Sequence, residues 1–205
     1  ILGGAALRRC IHEGEGEPPH ELLLAAVACA ARGEVLRVPV QRLREDAIGR
    51  ALELDDMLIG VVGAELLGLM LPAATSLREL SLGFNQLGPE GGAAIAEGLK
   101  GNSTLQSLDL SYNRLTSYGR DMSGLLKLVE ILPQTKIESL DLGSNMLCGV
   151  NPYTGAGAYT AEGITKLCEG LKGSCVTSLS LWKNNLGPEG GAALAEGLRG
   201  NSTLQ

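Results

Sequence analysis

The sequence predicts an α/β solenoid, with parallel strands on a concave face and helices on a convex face. Residues 87–106 and 186–205 are near-copies of each other that differ at two positions, both conservatively. A spaced leucine pattern precedes each copy, and its central apolar positions alternate as they do on one face of a strand. Such units must stack, because one unit alone cannot bury its apolar side chains.

The strand half of each unit carries the pattern L-x-x-L-x-L-x-x-N-x-L. The four complete instances have their anchors at Leu77, Leu80, Leu82, Asn85 and Leu87; Leu105, Leu108, Leu110, Asn113 and Leu115; Ile137, Leu140, Leu142, Asn145 and Leu147; and Val176, Leu179, Leu181, Asn184 and Leu186. Their first anchors lie 28, 32 and 39 residues apart. The asparagine is the one polar anchor, so we expect it inside, bonded to backbone groups where the strand bends.

The second half of each unit predicts a helix. Pro89 and Pro188 suit a first helical turn, with acidic Glu90 and Glu189 at its positive end. Gly101 suits the stop, as the equivalent glycine does in the second copy. Alanine and glycine fill the rest of the helix and would let neighbouring helices stack closely.

This pattern resembles the ribonuclease-inhibitor-like class of leucine-rich repeats, whose units have about 28 residues and a full helix. The resemblance covers residues 49–205 and implies a horseshoe-shaped solenoid. Members include ribonuclease inhibitor, the sensor domains of NACHT-type immune receptors and Ran GTPase-activating proteins. The resemblance therefore implies two alternative functions, a GTPase activator with a small GTPase as partner, or a ligand-sensing module of a larger receptor. The functional residues of the Ran GTPase-activating proteins are not mapped onto particular positions of this sequence, so that alternative rests on analogy.

The chain divides into two parts. Residues 1–48 do not repeat and are predicted to be an N-terminal flanking or capping segment. Residues 49–205 form the solenoid, with one degenerate unit, four clear units and a fifth cut off at 204–205. A solenoid normally ends in a polar cap, so the apolar end predicts a fragment of a longer protein.

Charge and cysteine usage narrow the function classes. A formal net charge of -6 disfavours nucleic acid and anionic membrane as partners. Five cysteines without a C-x-x-C pair indicate free thiols in a reducing compartment, the cytoplasm or alternatively the nucleus. Disulfide or metal-binding roles are the other interpretations. The apolar segment 57–74 is in register with a repeat helix, which favours a helix of the solenoid over a membrane span.

No catalytic, cofactor or metal signature is present in the sequence. The chain lacks the phosphate-binding G-x-x-x-x-G-K-[ST] pattern and the nucleophile pattern G-x-S-x-G. Cys10, His12 and His20 are the one group of metal-ligand residue types, placed around an acidic loop. We therefore predict a protein that is not an enzyme and has no cofactor or metal.

Three outward columns lie between the leucines on the strand face, and a fourth column holds the next position along, at the outward end of the strands. From the start of the strand they are Ala51, Glu79, Ser107, Ser139 and Ser178; Glu53, Ser81, Asp109, Asp141 and Ser180; Asp55, Gly83, Ser111, Gly143 and Trp182; and Asp56, Phe84, Tyr112, Ser144 and Lys183. Phe84, Tyr112 and Trp182 are three of the six aromatic residues in the chain, and Lys183 follows Trp182. They are either anchors for a partner or packing against neighbouring repeats.

Acidic residues form a second feature of these columns. Asp109 and Asp141 occupy equivalent positions on adjacent strands, about 4.8 Å apart. With Glu53 and Glu79 they make an acidic stripe, which either attracts a lysine or arginine of a partner or is a set of solvated carboxylates.

Two insertions interrupt the repeats. Residues 148–159 hold Tyr153 and Tyr159 in a glycine-rich loop, and a shorter insert at 117–121 holds Tyr118. They are either a recognition rim formed side by side or drifted surface loops. Taken together, the sequence predicts a protein-interaction scaffold that binds a partner with a basic patch on its concave face.

Overall fold

The computed structural model describes residues 49–151 and 153–205. The predicted cap at 1–48 and the Cys10, His12 and His20 group lie outside the described residues. The regular elements are β1 (Ala51–Glu53), α1 (Gly60–Met70), β2 (Glu79–Ser81), α2 (Gly88–Leu99), β3 (Ser107–Asp109), α3 (Ser123–Ile131), β4 (Ser139–Asp141), α4 (Glu162–Leu171), β5 (Ser178–Ser180) and α5 (Gly187–Gly197). Short 3-10 helices occupy Leu71–Ala73, Ser117–Gly119 and Leu132–Gln134.

The five strands form one parallel sheet in chain order, with a helix between each strand and the next. The central residue of every strand is a leucine, and these align as Leu52, Leu80, Leu108, Leu140 and Leu179. The leucines point toward the helices and form a continuous core along the stack. The predicted α/β solenoid is confirmed.

Glycines let the helices approach one another closely. A Cβ atom added to Gly98 of α2 would lie 2.2 Å from the carbonyl oxygen of Gly68 in α1. On the other side of α2, a Cβ added to Gly124 of α3 would lie 2.6 Å from the carbonyl oxygen of Pro89. Backbone packed on backbone leaves no room for a side chain, so the expectation drawn from the glycine-rich helices is confirmed.

The asparagine ladder lies inside the stack. Asn85, Asn113, Asn145 and Asn184 are all buried. The side-chain amide of Asn113 donates to the carbonyl of Leu82 in the preceding repeat at 2.8 Å. Its Oδ1 accepts from the backbone N–H of Asn85 at 3.0 Å and that of Leu87 at 3.3 Å. The predicted structural role is confirmed, because each asparagine bonds the bend of the repeat before it.

The helix ends differ between the two near-copies. Both prolines fall in the first turn, and Gly200 beyond α5 has a left-handed backbone with a φ of 78°. Gly101 is not left-handed, and a Cβ there would lie 2.9 Å from the Cβ of Pro72. Gly101 thus follows the end of α2 at Leu99, as predicted for the stop, and also serves close packing on the neighbouring repeat.

The apolar segment 57–74 contains α1, which has 11 residues. Its Leu66 and Leu67 are buried in the repeat core. Among the described residues, no helix has the length and apolar character needed to cross a bilayer.

Candidate functional site

The sheet brings the outward columns together as the strand spacing predicts. In the second column Ser81 pairs with Asp109, and Asp109 pairs with Asp141. The ladder of backbone hydrogen bonds continues past the strands to the fourth column, where the N–H of Phe84 donates to the carbonyl of Ser111 at 3.0 Å. The fourth-column residues therefore sit at the carboxyl end of the sheet, one beside another.

Every residue of the fourth column has a left-handed backbone. The φ values are 53° at Asp56, 58° at Phe84, 56° at Tyr112, 54° at Ser144 and 53° at Lys183. This conformation brings Cβ close to the following carbonyl oxygen and costs a residue such as Phe84 about 1–2 kcal/mol. The backbone here favours glycine or asparagine, yet the column holds a phenylalanine, a tyrosine and a lysine.

The three aromatic side chains of the strand face touch one another. Phe84 and Tyr112 stack with ring centroids 3.8 Å apart, and Trp182 meets Tyr112 edge-on at 5.1 Å. Phe84 is 48% exposed and Trp182 43% exposed. The side chains pack on neighbouring repeats, as one of the two interpretations requires, and also present apolar surface to solvent. Their role as anchors for a partner stays a prediction.

Gly143 makes the contact between Trp182 and Tyr112 possible. Strand β4 lies between β3 and β5, and Gly143 follows it in the third column. A Cβ atom on Gly143 would lie 2.0 Å from the indole Nε1 of Trp182. The absence of a side chain at Gly143 thus lets the indole lie across the edge of β4 and reach Tyr112.

The long insert adds Tyr153 to this group. The hydroxyls of Tyr112 and Tyr153 are 2.9 Å apart, and Lys183 Nζ donates to the Tyr153 hydroxyl at 3.1 Å. Lys183 Nζ also lies 5.1 Å from the ring centroids of both Tyr153 and Trp182. We call Phe84, Tyr112, Tyr153, Trp182 and Lys183 the aromatic–lysine cluster.

Hydrogen bonds within the cluster shift the pKa values of its polar groups. The bonds to the hydroxyls of Tyr153 and Tyr112 raise the pKa of Lys183, which keeps it cationic. The hydrogen bonds of its hydroxyl with Tyr112 and with Lys183 lower the pKa of Tyr153. The cluster therefore carries one fixed positive charge, on Lys183.

Tyr159, predicted alongside Tyr153, lies elsewhere. Its hydroxyl donates to the carbonyl of Leu186 and accepts from the backbone N–H of Gly190 at 2.7 Å. The ring is 40% exposed but sits at the start of α5. Tyr159 is thus separate from the aromatic–lysine cluster. Its hydrogen bonds fasten the end of the long insert to the start of α5.

The two inserts lie against each other, as the interpretation of a side-by-side rim requires. A Cβ on Gly119 of the short insert would lie 2.8 Å from the Cα of Gly149 in the long one. Within the long insert, Asn151 Oδ1 accepts from the backbone N–H of Tyr153 at 2.8 Å, which sets the turn that presents the tyrosine. The inserts form a shared rim beside the carboxyl end of the sheet.

The predicted acidic residues lie on the strand face. Glu53, Glu79 and Asp109, together with Asp55, line a groove of about 280 Å³ over β1, β2 and β3. Asp55 Oδ1 accepts from the Ser81 hydroxyl at 2.6 Å, so it belongs to the same surface although the sequence did not single it out. Asp55 could have been identified from the sequence, because it is the next outward position after Glu53 in the alternating pattern.

The aspartates of the second column are held by their own turns. Asp109 Oδ1 accepts from the backbone N–H of Ser111 at 2.7 Å, and Asp141 Oδ1 accepts from that of Gly143 at 2.7 Å. Within the described ranges, the salt bridges join residues three apart in a helix or at its end, and none includes Asp109, Asp141, Glu53 or Glu79. The outward carboxylates thus lack a cationic partner in this part of the chain.

The described cysteines are Cys148, Cys168 and Cys175, and all three are free thiols. Burial raises the pKa of Cys148 and of Cys168, which keeps both thiols protonated and inert. In the region covered by the structure, no group of three or more histidine, cysteine, aspartate or glutamate side chains is placed to hold a metal.

Comparison with known proteins agrees with the repeat architecture. A family profile described as a leucine-rich repeat matches residues 73–96, 101–121 and 174–195. With the parallel sheet and the asparagine ladder, these matches support a protein built of leucine-rich repeats.

Two known proteins are similar to this chain in sequence. The chain is 34% identical over 179 residues to leucine-rich repeat-containing protein 45 of Gallus gallus, covering 85% of this chain and 24% of that protein. It is 33% identical over 129 residues to Tonsoku-like protein of Bos taurus, covering 61% of this chain and 8% of that protein. The chain thus spans a quarter or less of either relative.

A solved structure supports the same fold. The structure titled leiomodin-1 actin-binding site 2 superposes with a TM-score of 0.58 at 16% identity, covering 79% of this chain and 88% of that one. At this identity the likeness shows the fold alone.

Proposed function

We propose that this chain is a protein-interaction scaffold that holds a partner on its strand face. The observation that carries the proposal is the aromatic–lysine cluster, in which exposed Phe84 and Trp182 are joined into one surface with Lys183. Tyrosine and tryptophan dominate the binding energy of protein interfaces, because they bury large apolar areas at a small cost in side-chain entropy.

The backbone supports this interpretation of the cluster. Phe84 occupies a left-handed position with its ring half exposed, so neither local backbone preference nor burial in the core explains the residue. Strained positions filled against their local preference cluster at functional sites. The inserts, whose Tyr153 completes the cluster, would form the rim of the bound surface.

The partner we propose carries a basic patch. Glu53, Asp55, Glu79 and Asp109 face outward around one groove and have no cationic partner within the described residues. Exposed carboxylates of this kind steer a positively charged partner during encounter more than they hold the complex. Such binding would weaken with salt, since screening acts within about 8–10 Å at moderate ionic strength.

We also propose a repeat subclass, a cellular compartment and a mode of action for this chain. Helices of 9 to 12 residues in the repeats favour the ribonuclease-inhibitor-like subclass. The free thiols favour a reducing compartment, the cytoplasm or the nucleus. We propose action by binding rather than catalysis. Timing GTP hydrolysis by several small GTPases with and without this chain would separate the scaffold from the GTPase activator.

The experiment uses a partner recovered from lysate with this chain and measures its binding kinetics. Trp182→Ala should weaken binding by about 2 kcal/mol or more, as expected for an anchor residue. Asp109→Asn with Asp141→Asn should mainly slow association. The control is Glu97→Gln on the exposed side of α2. Undiminished binding by Trp182→Ala, with loss of binding from helix-side changes, would refute use of the strand face.

A further inference from the structure

Lys183 differs from the lysines of the helices in what surrounds it. Lys100, Lys127 and Lys166 each pair with a glutamate one helical turn away, at 2.9, 3.2 and 3.0 Å. Lys183 instead lies against two phenol hydroxyls and two ring faces, and no salt bridge of the described residues includes it. It is also the sole cation in the four outward columns.

The surroundings of Lys183 leave it able to bind an anion. An ammonium group has three donors and no acceptor. Two of them are directed at the hydroxyls of Tyr153 and Tyr112, at 3.1 and 3.5 Å, and the third is unused by the described residues. Tyr153 is 62% exposed, so an approaching carboxylate meets the ammonium group and a phenol together.

The charge of the strand face therefore changes across the sheet, from acidic on one side to basic at Lys183 on the other. The acidic groove covers β1 to β3, whereas Lys183 follows β5. The aromatic rings run along the carboxyl end of the sheet, from Phe84 after β2 through Tyr112 after β3 to Trp182 after β5. Neighbouring strands are about 4.8 Å apart, so β2 and β5 are separated by about 14 Å. An extended chain covers that distance in about four residues at about 3.3 Å per residue.

We infer that the partner contributes an extended segment that carries two opposite charges. A basic residue of the segment lies in the acidic groove, and a carboxylate about four residues away binds Lys183. Apolar residues between these two charges pack on the aromatic rings. Charge complementarity with this ordered surface selects such an occupant over a uniformly basic one. The inference rests on the proposed function and adds the chemistry of the bound segment.

The test uses fluorescently labelled, end-capped peptides and fluorescence anisotropy. The first peptide holds an arginine, three proline or leucine residues and an aspartate, so that the two charges are four residues apart. The second replaces the aspartate with lysine, and the third places the aspartate next to the arginine. The parent should prefer the first peptide over each of the others by about threefold to fivefold, as expected for one exposed charge pair.

Charge reversal on the protein sharpens this test. Lys183→Glu should reverse the preference between the first two peptides, and Lys183→Gln should abolish it. Lys172→Glu is the matched control, because it alters net charge equally but lies exposed just beyond α4, and it should keep the parental preference.

Three results would overturn the inference: no binding of any peptide, equal binding by the parent and Trp182→Ala, or the same preference in Lys183→Glu as in the parent. The scaffold proposal is judged separately on the protein partner. If that partner needs Trp182 while the peptide preference is missing, the scaffold stands and the two-charge segment is wrong.

Discussion

The two near-copies, residues 87–106 and 186–205, share all but two residues yet are packed differently. Helix α2 of the first copy lies between α1 and α3, whereas α5 of the second packs on α4 alone among the described helices. Ile95 is 0% exposed, and its counterpart Leu194 is only partly buried. Both segments are helical, but how far their equivalent side chains are buried depends on the neighbouring repeats.

The turn after each helix also differs between the two copies in its hydrogen bonds to the preceding repeat. Asn102 and Asn201 both bond locally, and each Oδ1 accepts from the backbone N–H of the leucine three residues later at 2.9 Å. Asn102 also donates to the carbonyl of Leu71 in the preceding repeat at 2.8 Å. No such bond across repeats is formed by Asn201 within the described chain, where the carbonyl of Leu171 accepts from Ser174.

The largest expected difference between the copies is in their core residues. Ile95→Ala should lower the free energy of unfolding by about 2–5 kcal/mol, because it leaves a cavity in a filled core. Leu194→Ala should cost about 1 kcal/mol, since less of its surface is buried. Urea denaturation of both variants measures the difference. Equal losses would show that the two sites are equally well packed and would contradict this prediction.

Glycines at equivalent positions should respond with opposite signs. A Cβ on Gly92 would lie 2.7 Å from Leu115 Cδ2, whereas a Cβ on Gly191 has nothing within 4 Å. Gly92→Ala should therefore cost about 1–3 kcal/mol through overpacking. Gly191→Ala should raise stability by about 0.5–1 kcal/mol, because alanine loses less backbone entropy in a helix. Thermal unfolding midpoints of the pair test this, and two shifts of the same sign would contradict it.

The asparagine turns should show a smaller difference. Asn102→Ala removes bonds that cross to another repeat in a buried site, so it should cost about 1–3 kcal/mol. Asn201→Ala removes only local bonds and should cost about 0.5–1.5 kcal/mol. Denaturant midpoints again provide the measurement. A larger loss at Asn201 would mean that its local bonds matter more than the contact between repeats.

The smallest stability effect, but a clear spectroscopic one, is expected on the strand face. Gly143→Ala should displace Trp182 from β4 and shift the emission of this single tryptophan to longer wavelength. The matched control is Gly83→Ala in the same column, where a Cβ would meet Asp55 Oδ1 at 2.7 Å and leave the indole alone. Unchanged emission in Gly143→Ala would contradict the placement of the Trp182 indole against Gly143.

Much of the candidate site could be predicted from the leucine spacing. A period of two within each strand identifies the outward positions, so Asp109 was assignable to the strand face. Phe84 and Tyr112 each come one residue after the last position of that alternation, at the end of the strand. The left-handed backbone of the fourth column was not predictable, because phenylalanine, tyrosine and lysine do not signal such a conformation. The hydrogen bonds across the stack impose it.

The sequence by itself determined the repeat, its strands and helices, the buried asparagines and the outward columns, because each depends on spacing within one unit. Tertiary structure alone decided which side chains meet. Tyr112 and Tyr153 are 41 residues apart and touch because the long insert folds back on the sheet. Trp182 reaches Tyr112 because Gly143 leaves a gap, and Tyr159 turns to α5. Such contacts depend on the shapes of neighbouring repeats, which no single repeat encodes.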